Sequence, residues 1–102
     1  MSLFQFFSKT SNIHQQLQEF AEQEQAALVD VRTPAEYASG HIPKSINIPL
    51  DQIHTIQIPK QNTIYVYCHS GARSARAAGI LRRAGYAVVD LGGILSYRGP
   101  IE

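Results

Sequence analysis

The chain has a single cysteine, Cys68, and its neighbours suit it for covalent chemistry. Cys68 follows the β-branched and aromatic run TIYVY at 63–67 and precedes a short polar stretch that leads into a predicted helix. A thiol between the end of a strand and the start of a helix lies at the positive end of the helix dipole. A bend at Gly71 lets several backbone N–H groups converge, and Arg73 adds a full positive charge. Together these features predict a thiol pKa below its ordinary value and a thiolate nucleophile.

The remaining composition excludes several other chemistries. A sole cysteine forms neither an internal disulfide nor a CxxC pair nor a zinc site of several thiolates. It is typical of a reducing compartment, and we predict a cytoplasmic protein. His14 and His54 lack partners at metal-ligand spacing, and neither GxxxxGK[ST] nor GxGxxG occurs. We therefore expect no metal, no cofactor and no bound nucleotide.

Length and charge set the class of protein. The chain has 102 residues, of which 44% are hydrophobic and 17% charged, and we interpret residues 1–102 as one globular domain. Nine basic and eight acidic residues leave a net charge of +1, which excludes nucleic-acid binding through bulk charge. No apolar run approaches the roughly 20 residues of a membrane span. The expected partners are therefore neither nucleic acid nor membrane.

The elements that must hold Cys68 alternate between strands and helices. A helix at 13–21 follows possible N-cap oxygens at 10–12, and Thr33, Pro34 and Glu36 form the capping box of a short helix that ends at Gly40. The alternation predicts an α/β domain with a central, mostly parallel five-stranded sheet flanked by helices on both faces. In such sheets ligands bind at the carboxyl ends of the strands, where Cys68 lies. The strands are expected at 3–7, 26–31, 46–50, 63–67 and 86–91, followed by a break at 92–93, and the further helical segments at 51–56, 74–84 and 94–97.

Three segments in order resemble the rhodanese-like sulfurtransferase family. CHSGARS at 68–74 is similar to that family's CxxGxRS active-site loop, DVRTPAEYASGHIPKSINIPL at 30–50 to its upstream signature, and LGGI at 91–94 to its closing segment. The resemblance runs from about residue 27 to the C-terminus. Lys44 stands where the family often has Gly, and Tyr97 where it often has Trp. The resemblance implies a single rhodanese-like domain.

The resemblance also implies a reaction, that of a thiosulfate sulfurtransferase. The Cys68 thiolate takes the outer sulfur of a small-molecule donor such as thiosulfate, sulfite leaves, and a thiophilic acceptor, cyanide or a thiol, removes the sulfur from the resulting persulfide. No cofactor is implied. The residues implied in substrate binding are the loop and one arginine at a strand end: His69, Ser70, Gly71, Ala72, Arg73, Ser74 and Arg32.

Two alternatives to this function stay open. Phosphatases and arsenate reductases occur on the same fold, but the loop of cysteine-dependent phosphatases is one residue longer than the four residues that separate Cys68 from Arg73 here. The shorter loop favours a single sulfur atom over a tetrahedral oxyanion. In the second alternative the chain is a sulfur-relay carrier or binding module that a partner protein loads, and it needs the same loop.

Three charged residues near the predicted site have two interpretations each. Asp30 and Arg32 end a predicted strand, so they either orient the loop and bind the donor or form an ion pair that fixes the strand end. The ion pair is favoured for Asp30, because buried charges are usually paired, and both interpretations stay open for Arg32. Arg73 either binds the anionic donor or ties the loop to a carboxylate such as Glu36 or Asp30.

Overall fold

A computed structural model describes residues 12–102, so the strand expected at 3–7 lies outside the described residues. Within them, strands and helices alternate as predicted. The strands are β1 Ala26–Asp30, β2 Ile46–Asn47, β3 Thr63–Cys68 and β4 Val88–Gly93. The α-helices are α1 Ile13–Glu22, α2 Pro34–Ala38 and α3 Ala72–Arg83, and two 3₁₀ helices cover Leu50–Thr55 and Ile94–Ser96.

The four described strands form one parallel sheet in the order β2-β1-β3-β4. Asp30 at the end of β1 pairs with Tyr67, and Cys68 at the end of β3 pairs with Gly93. The carboxyl ends of β1, β3 and β4 therefore meet at one edge of the sheet. The predicted α/β class and parallel sheet are confirmed, with four of the five expected strands among residues 12–102.

The side chains of β3 alternate between two apolar layers. Ile64, Val66 and Cys68 belong to the layer under α3 and the first 3₁₀ helix, whereas Tyr65 and Tyr67 belong to the layer under α1. Because both faces of the strand are covered, all five residues are at most 1% exposed. The predicted flanking of the sheet on both faces is thus confirmed, and Cys68 faces the α3 side.

The predicted helix starts are confirmed for the first two α-helices. Asn12 caps α1 by accepting a hydrogen bond from the N–H of Gln15, whose side chain accepts from the N–H of Asn12. Thr33 and Glu36 form the same reciprocal pair at α2, with Pro34 as its first residue. These caps depend on neighbours three residues apart, and this is why the sequence reveals them.

Three predicted boundaries are wrong. Helix α3 begins at Ala72 rather than at residue 74, because Gly71 is its N-cap in the left-handed region (φ 116°) and has no side chain to signal the start. Strand β4 begins at Val88 and includes the expected break, since Gly92 and Gly93 pair with Tyr67 and Cys68 across a register shift. Strand β2 is limited to Ile46–Asn47. Among residues 12–102, none of the helices has both the length and the apolar character to cross a membrane.

Candidate active site

The sulfur of Cys68 lies at the focus of the loop that joins β3 to α3. The residue is 1% exposed. Its Sγ accepts hydrogen bonds from the N–H groups of Gly71, at 3.0 Å, and Ser74, at 3.3 Å. The predicted convergence of backbone N–H groups on this atom is therefore present.

These two N–H groups are the ones that a helix cap normally satisfies. Gly71 is the N-cap of α3 and makes no side-chain cap, and Ser74 is the third helical residue. The N–H groups at the first turn of a helix have no partner within the helix. Here Sγ of Cys68 supplies the acceptor that a Ser, Thr or Asp side chain supplies elsewhere.

Hydrogen bonds decide the ionisation of the thiol. Burial acts to raise the pKa of Cys68, but hydrogen bonds from the N–H and the hydroxyl of Ser74, followed by those from the N–H groups of Gly71 and Arg73, outweigh it, so the pKa is lowered. The Ser74 hydroxyl also donates to the carbonyl of Gly71, at 3.1 Å. The backbone N–H of Arg73 helps to lower the pKa of the thiol, and the charge of Cys68 in turn helps to raise the pKa of Arg73.

The end of β4 is in close contact with the loop between β3 and α3. An added Cβ at Gly93 would lie 2.3 Å from the carbonyl oxygen of His69 and 2.6 Å from Cα of Ser70, so only glycine fits. The same carbonyl of His69 accepts a hydrogen bond from the N–H of Leu95, at 3.2 Å. The sequence predicts a break at Gly93 and no contact with the loop, although the glycine pair within the LGGI segment is a signal for a close approach of two backbones.

Arg73 is held by Glu36. The two guanidinium NH₂ groups donate to the two carboxylate oxygens at 2.7 and 3.1 Å, and the pair is about one-third exposed. Glu36 also accepts from the N–H of Thr33, so one carboxylate joins the start of α2 to the loop. Of the two predicted partners, Glu36 and Asp30, Arg73 binds Glu36.

Arg32 and Asp30 form a buried ion pair at the end of β1. The Arg32 Nη2 atom lies 2.7 Å from the Asp30 carboxylate, and Nε donates to both carboxylate oxygens. Nη2 also donates to the carbonyl of Gly40, at 2.8 Å. Arg32 is 5% exposed and Asp30 is fully buried. Both side chains are directed at each other rather than at the Cys68 loop, which favours the structural interpretation for both residues.

A rhodanese-like domain model matches residues 14–99, which is most of the chain. The chain belongs to the rhodanese-like family. A sulfurtransferase of Allochromatium vinosum is 42% identical over 86 residues, which cover 82% of this chain and 76% of that protein. Thiosulfate sulfurtransferase PspE of Escherichia coli is 39% identical over 69 residues, 64% of this chain and 66% of its own length. A structure of a rhodanese with anions from E. coli superposes with a TM-score of 0.69 at 34% identity, covering 76% of this chain and 96% of that one.

The remaining loop residues of this rhodanese-like domain line the outside of the site. His69, Ser70 and Ala72 are exposed, whereas Ser74 is fully buried. With N–H groups of Gly71 and Ser74 directed inward and the side chains of His69 and Ser70 at the surface, the loop offers one small pocket for negative charge on sulfur. This arrangement can stabilise a thiolate and the anion of a persulfide.

Proposed function

We propose that the chain is a sulfurtransferase that carries a sulfane sulfur as a persulfide on Cys68. The observation that carries this proposal is the buried Sγ atom, held by the N–H groups of Gly71 and Ser74 at the start of α3. A lowered thiol pKa increases the fraction of thiolate, which is the form that acts as the nucleophile. Membership of the rhodanese-like family supports sulfur transfer as the reaction class.

In the first half-reaction the Cys68 thiolate attacks the outer sulfur of thiosulfate. A sulfur–sulfur bond forms to Sγ, the bond between the two donor sulfurs breaks, and sulfite leaves with the bonding pair. The new terminal sulfur carries the negative charge, which the inward N–H groups of the loop stabilise. Thiosulfate as donor is supported by the similarity to PspE.

In the second half-reaction an acceptor takes the terminal sulfur. Cyanide or a thiol attacks it, the bond to Sγ breaks, and the Cys68 thiolate is regenerated. With cyanide as the acceptor no residue has to act as a general base, because the Cys68 thiolate and cyanide both attack as anions. The site therefore needs no metal or organic cofactor for this chemistry.

Arg73 has a second task in this proposal. Two of its NH₂ donors hold Glu36, and the remaining N–H donors and the charge are available to the sulfonate of the donor. A charge-assisted hydrogen bond of about 1.5–3 kcal/mol corresponds to a rise of roughly ten- to a hundredfold in the KM for thiosulfate in Arg73→Ala. In Glu36→Gln the arginine keeps its charge, so a similar rise there would assign the effect to loop position instead.

The test of the proposal is the intact mass of the protein after incubation with thiosulfate. We expect a gain of one sulfur atom, about 32 Da, that cyanide removes. Cys68→Ser is the control and should gain nothing while it still folds. Appreciable thiosulfate:cyanide activity in the serine variant would contradict the mechanism.

Two further measurements separate the alternatives. Robust hydrolysis of aryl phosphates by the wild-type protein would favour a phosphatase, which the six-residue span from Cys68 to Arg73 disfavours. Slow loading by thiosulfate with fast loading by the persulfide of a desulfurase would assign the chain to a protein relay. The sole cysteine supports a cytoplasmic location for either function.

A further inference from the structure

The pairing of β3 with β4 shifts by one residue close to the thiol. The neighbours Val66 and Tyr67 on β3 pair with Asp90 and Gly92 on β4, so Leu91 between these two is an extra residue. An extra residue bends the strand that contains it and changes the direction of the residues that follow. In β4 the residues that follow are the two glycines at its end. The shift therefore decides where these glycines meet the loop between β3 and α3.

The side chain of Asp90 holds this irregular segment in place. Its Oδ1 atom accepts a hydrogen bond from the N–H of Gly92, at 2.9 Å. An aspartate that accepts from the N–H two residues further on forms an Asx turn, which fixes the backbone between the two residues. Within residues 12–102 the carboxylate takes part in no ion pair and in no other side-chain hydrogen bond. The turn is thus the one interaction that the described structure gives this carboxylate.

The two glycines contact both ends of the loop. Gly93 lies so close to the carbonyl oxygen of His69 that an added Cβ would approach it to 2.3 Å. The carbonyl oxygen of Gly92 lies 3.4 Å from the hydroxyl oxygen of Ser74, whose N–H donates to Sγ of Cys68. A displacement of the glycine pair therefore changes the position of the N–H groups that face the sulfur.

We propose that Asp90 is a positioning residue for Cys68, and that its carboxylate keeps the N–H groups of the loop directed at the sulfur by fixing the end of β4. It acts through Gly92 and Gly93 rather than on the sulfur itself. The inference rests on the proposed function only for its effect on sulfur transfer, since the ionisation of the thiol is measurable without a donor.

The position of the loop acts on the thiolate more than on the neutral thiol. Hydrogen bonds weaken as their distances lengthen and their angles bend, and those to an anion are the stronger ones. Without the acceptor at Asp90 the end of β4 relaxes, and the N–H groups lose their alignment with Sγ. The pKa of Cys68 should then rise. The loss of one net hydrogen bond corresponds to a rise of about 0.5–1 pH unit in the titration midpoint.

A direct effect of the Asp90 charge would act in the opposite direction. Removal of an anion near a thiol favours the thiolate and lowers the pKa of that thiol. Loss of the carboxylate therefore raises the pKa of Cys68 if Asp90 positions the loop, and lowers it if the charge acts through space. The sign of the change separates the two effects.

Two variants of Asp90 separate its acceptor from its charge. The thiolate absorbance is titrated in each variant, and the spectrum of the same variant carrying Cys68→Ser is subtracted. Asp90→Asn keeps an acceptor at the same distance from the backbone and should keep the wild-type midpoint. Asp90→Glu keeps the charge, but its longer side chain loses the turn, so its midpoint should rise by about 0.5–1 pH unit. Asp90→Ala should match Asp90→Glu, and the comparison of Asn with Glu decides the matter even if the alanine variant does not fold.

Val89→Ala is the control for a general loss of stability. Val89 precedes Asp90 on the same strand and packs in the layer under α1, on the opposite face of the sheet from Cys68. This variant should unfold at a lower urea concentration and keep the wild-type midpoint. An unchanged midpoint in Asp90→Glu, an equal rise in Asp90→Asn, or an equal rise in Val89→Ala would overturn the inference.

The pH profile of loading extends the test to sulfur transfer. Loading by thiosulfate is followed by intact mass at several pH values, and the profile of Asp90→Glu should move to higher pH by the same amount as its titration. Below the wild-type midpoint this corresponds to loading that is roughly three- to tenfold slower. Loading at the wild-type rate despite a displaced titration would overturn the role in transfer. Failure of the wild type to load would instead contradict the proposed function, and the titrations would still decide the role of Asp90.

Discussion

At the scale of single residues, the ionisation of Cys68 depends on named hydrogen bonds. Because N–H donors and the Ser74 hydroxyl favour the thiolate more than burial disfavours it, the pKa of the thiol is lowered from its ordinary value, and a free cysteine titrates at about 8.5. We expect the ultraviolet absorbance of the thiolate, which only Cys68 can contribute, to appear below that pH. Ser74→Ala keeps the N–H but loses the hydroxyl, so its midpoint should move upward. A wild-type midpoint at or above 8.5 would contradict this prediction.

Lys44 has a backbone conformation that favours glycine. Its φ of 73° is the only left-handed value outside glycine among residues 12–102. A side chain in this region costs roughly 1–2 kcal/mol, and glycine gives back roughly 0.5–1 kcal/mol through its greater freedom in the unfolded chain. Lys44→Gly should therefore raise the free energy of unfolding by about 0.5–1 kcal/mol in urea titrations. Lys44→Ala keeps the strain and is the control; an equal gain in both would assign the effect to lost charge.

At the scale of elements, the Glu36–Arg73 pair joins α2 to the loop between β3 and α3. The hydrogen bond from Arg73, with those from Thr33, lowers the pKa of Glu36 from its ordinary value of 4.5 to about 2. A carboxylate whose pKa is lowered in the folded state stabilises the protein at any pH above its ordinary pKa. This contribution is lost as the pH falls toward about 2. Glu36→Gln should thus lower stability at neutral pH by at most about 1 kcal/mol, since the pair is partly exposed.

The pH dependence distinguishes this pair from a general effect of charge. Denaturation midpoints of the wild type and Glu36→Gln should differ at neutral pH and coincide at a pH of about 2. Glu24→Gln removes an exposed carboxylate outside any ion pair of the described residues and should match the wild type at both pH values. A difference between wild type and Glu36→Gln that persists in acid would show that the glutamate stabilises by another route.

The contact between β4 and the loop gives a second prediction for an element. Gly93→Ala places a methyl group 2.3 Å from the His69 carbonyl, so the loop must move, and we expect a loss of about 2–3 kcal/mol with a raised thiol pKa. In Gly92→Ala the added Cβ has no atom within 4 Å, so the only cost is the φ of 85° at this position. We expect a loss of roughly 1–2 kcal/mol in the free energy of unfolding. Urea unfolding and thiolate absorbance measure both effects. An unchanged thiol pKa in Gly93→Ala would mean that the loop does not depend on this contact.

At the scale of the whole molecule, the sequence predicts what depends on local order and misses what depends on distant neighbours. The apolar runs and capping residues are local, so the α/β class, the parallel sheet and the starts of α1 and α2 follow from them. The position of Cys68 at a strand end follows from the same pattern. The reaction class follows from the family resemblance of the sequence.

Contacts between distant segments account for what was missed. The choice of Glu36 as partner of Arg73 joins residues 37 positions apart, and no spacing rule selects it over Asp30. The early start of α3 depends on a left-handed glycine and a sulfur acceptor rather than on a capping side chain. The extension of β4 through its glycines depends on pairing with β3. Each is a property of the assembled sheet.

The sulfur that caps α3 places two separate requirements on position 68. An acceptor atom there is needed for the N–H groups of Gly71 and Ser74 whether or not sulfur is ever transferred. Cys68→Asp should therefore stay folded with α3 intact, whereas Cys68→Ala should lose about 1–2 kcal/mol, a difference that urea titration measures. If the two variants are equally stable, the cap is dispensable. Otherwise, a descendant of this protein that no longer transfers sulfur would keep its full stability only with an acceptor at that position.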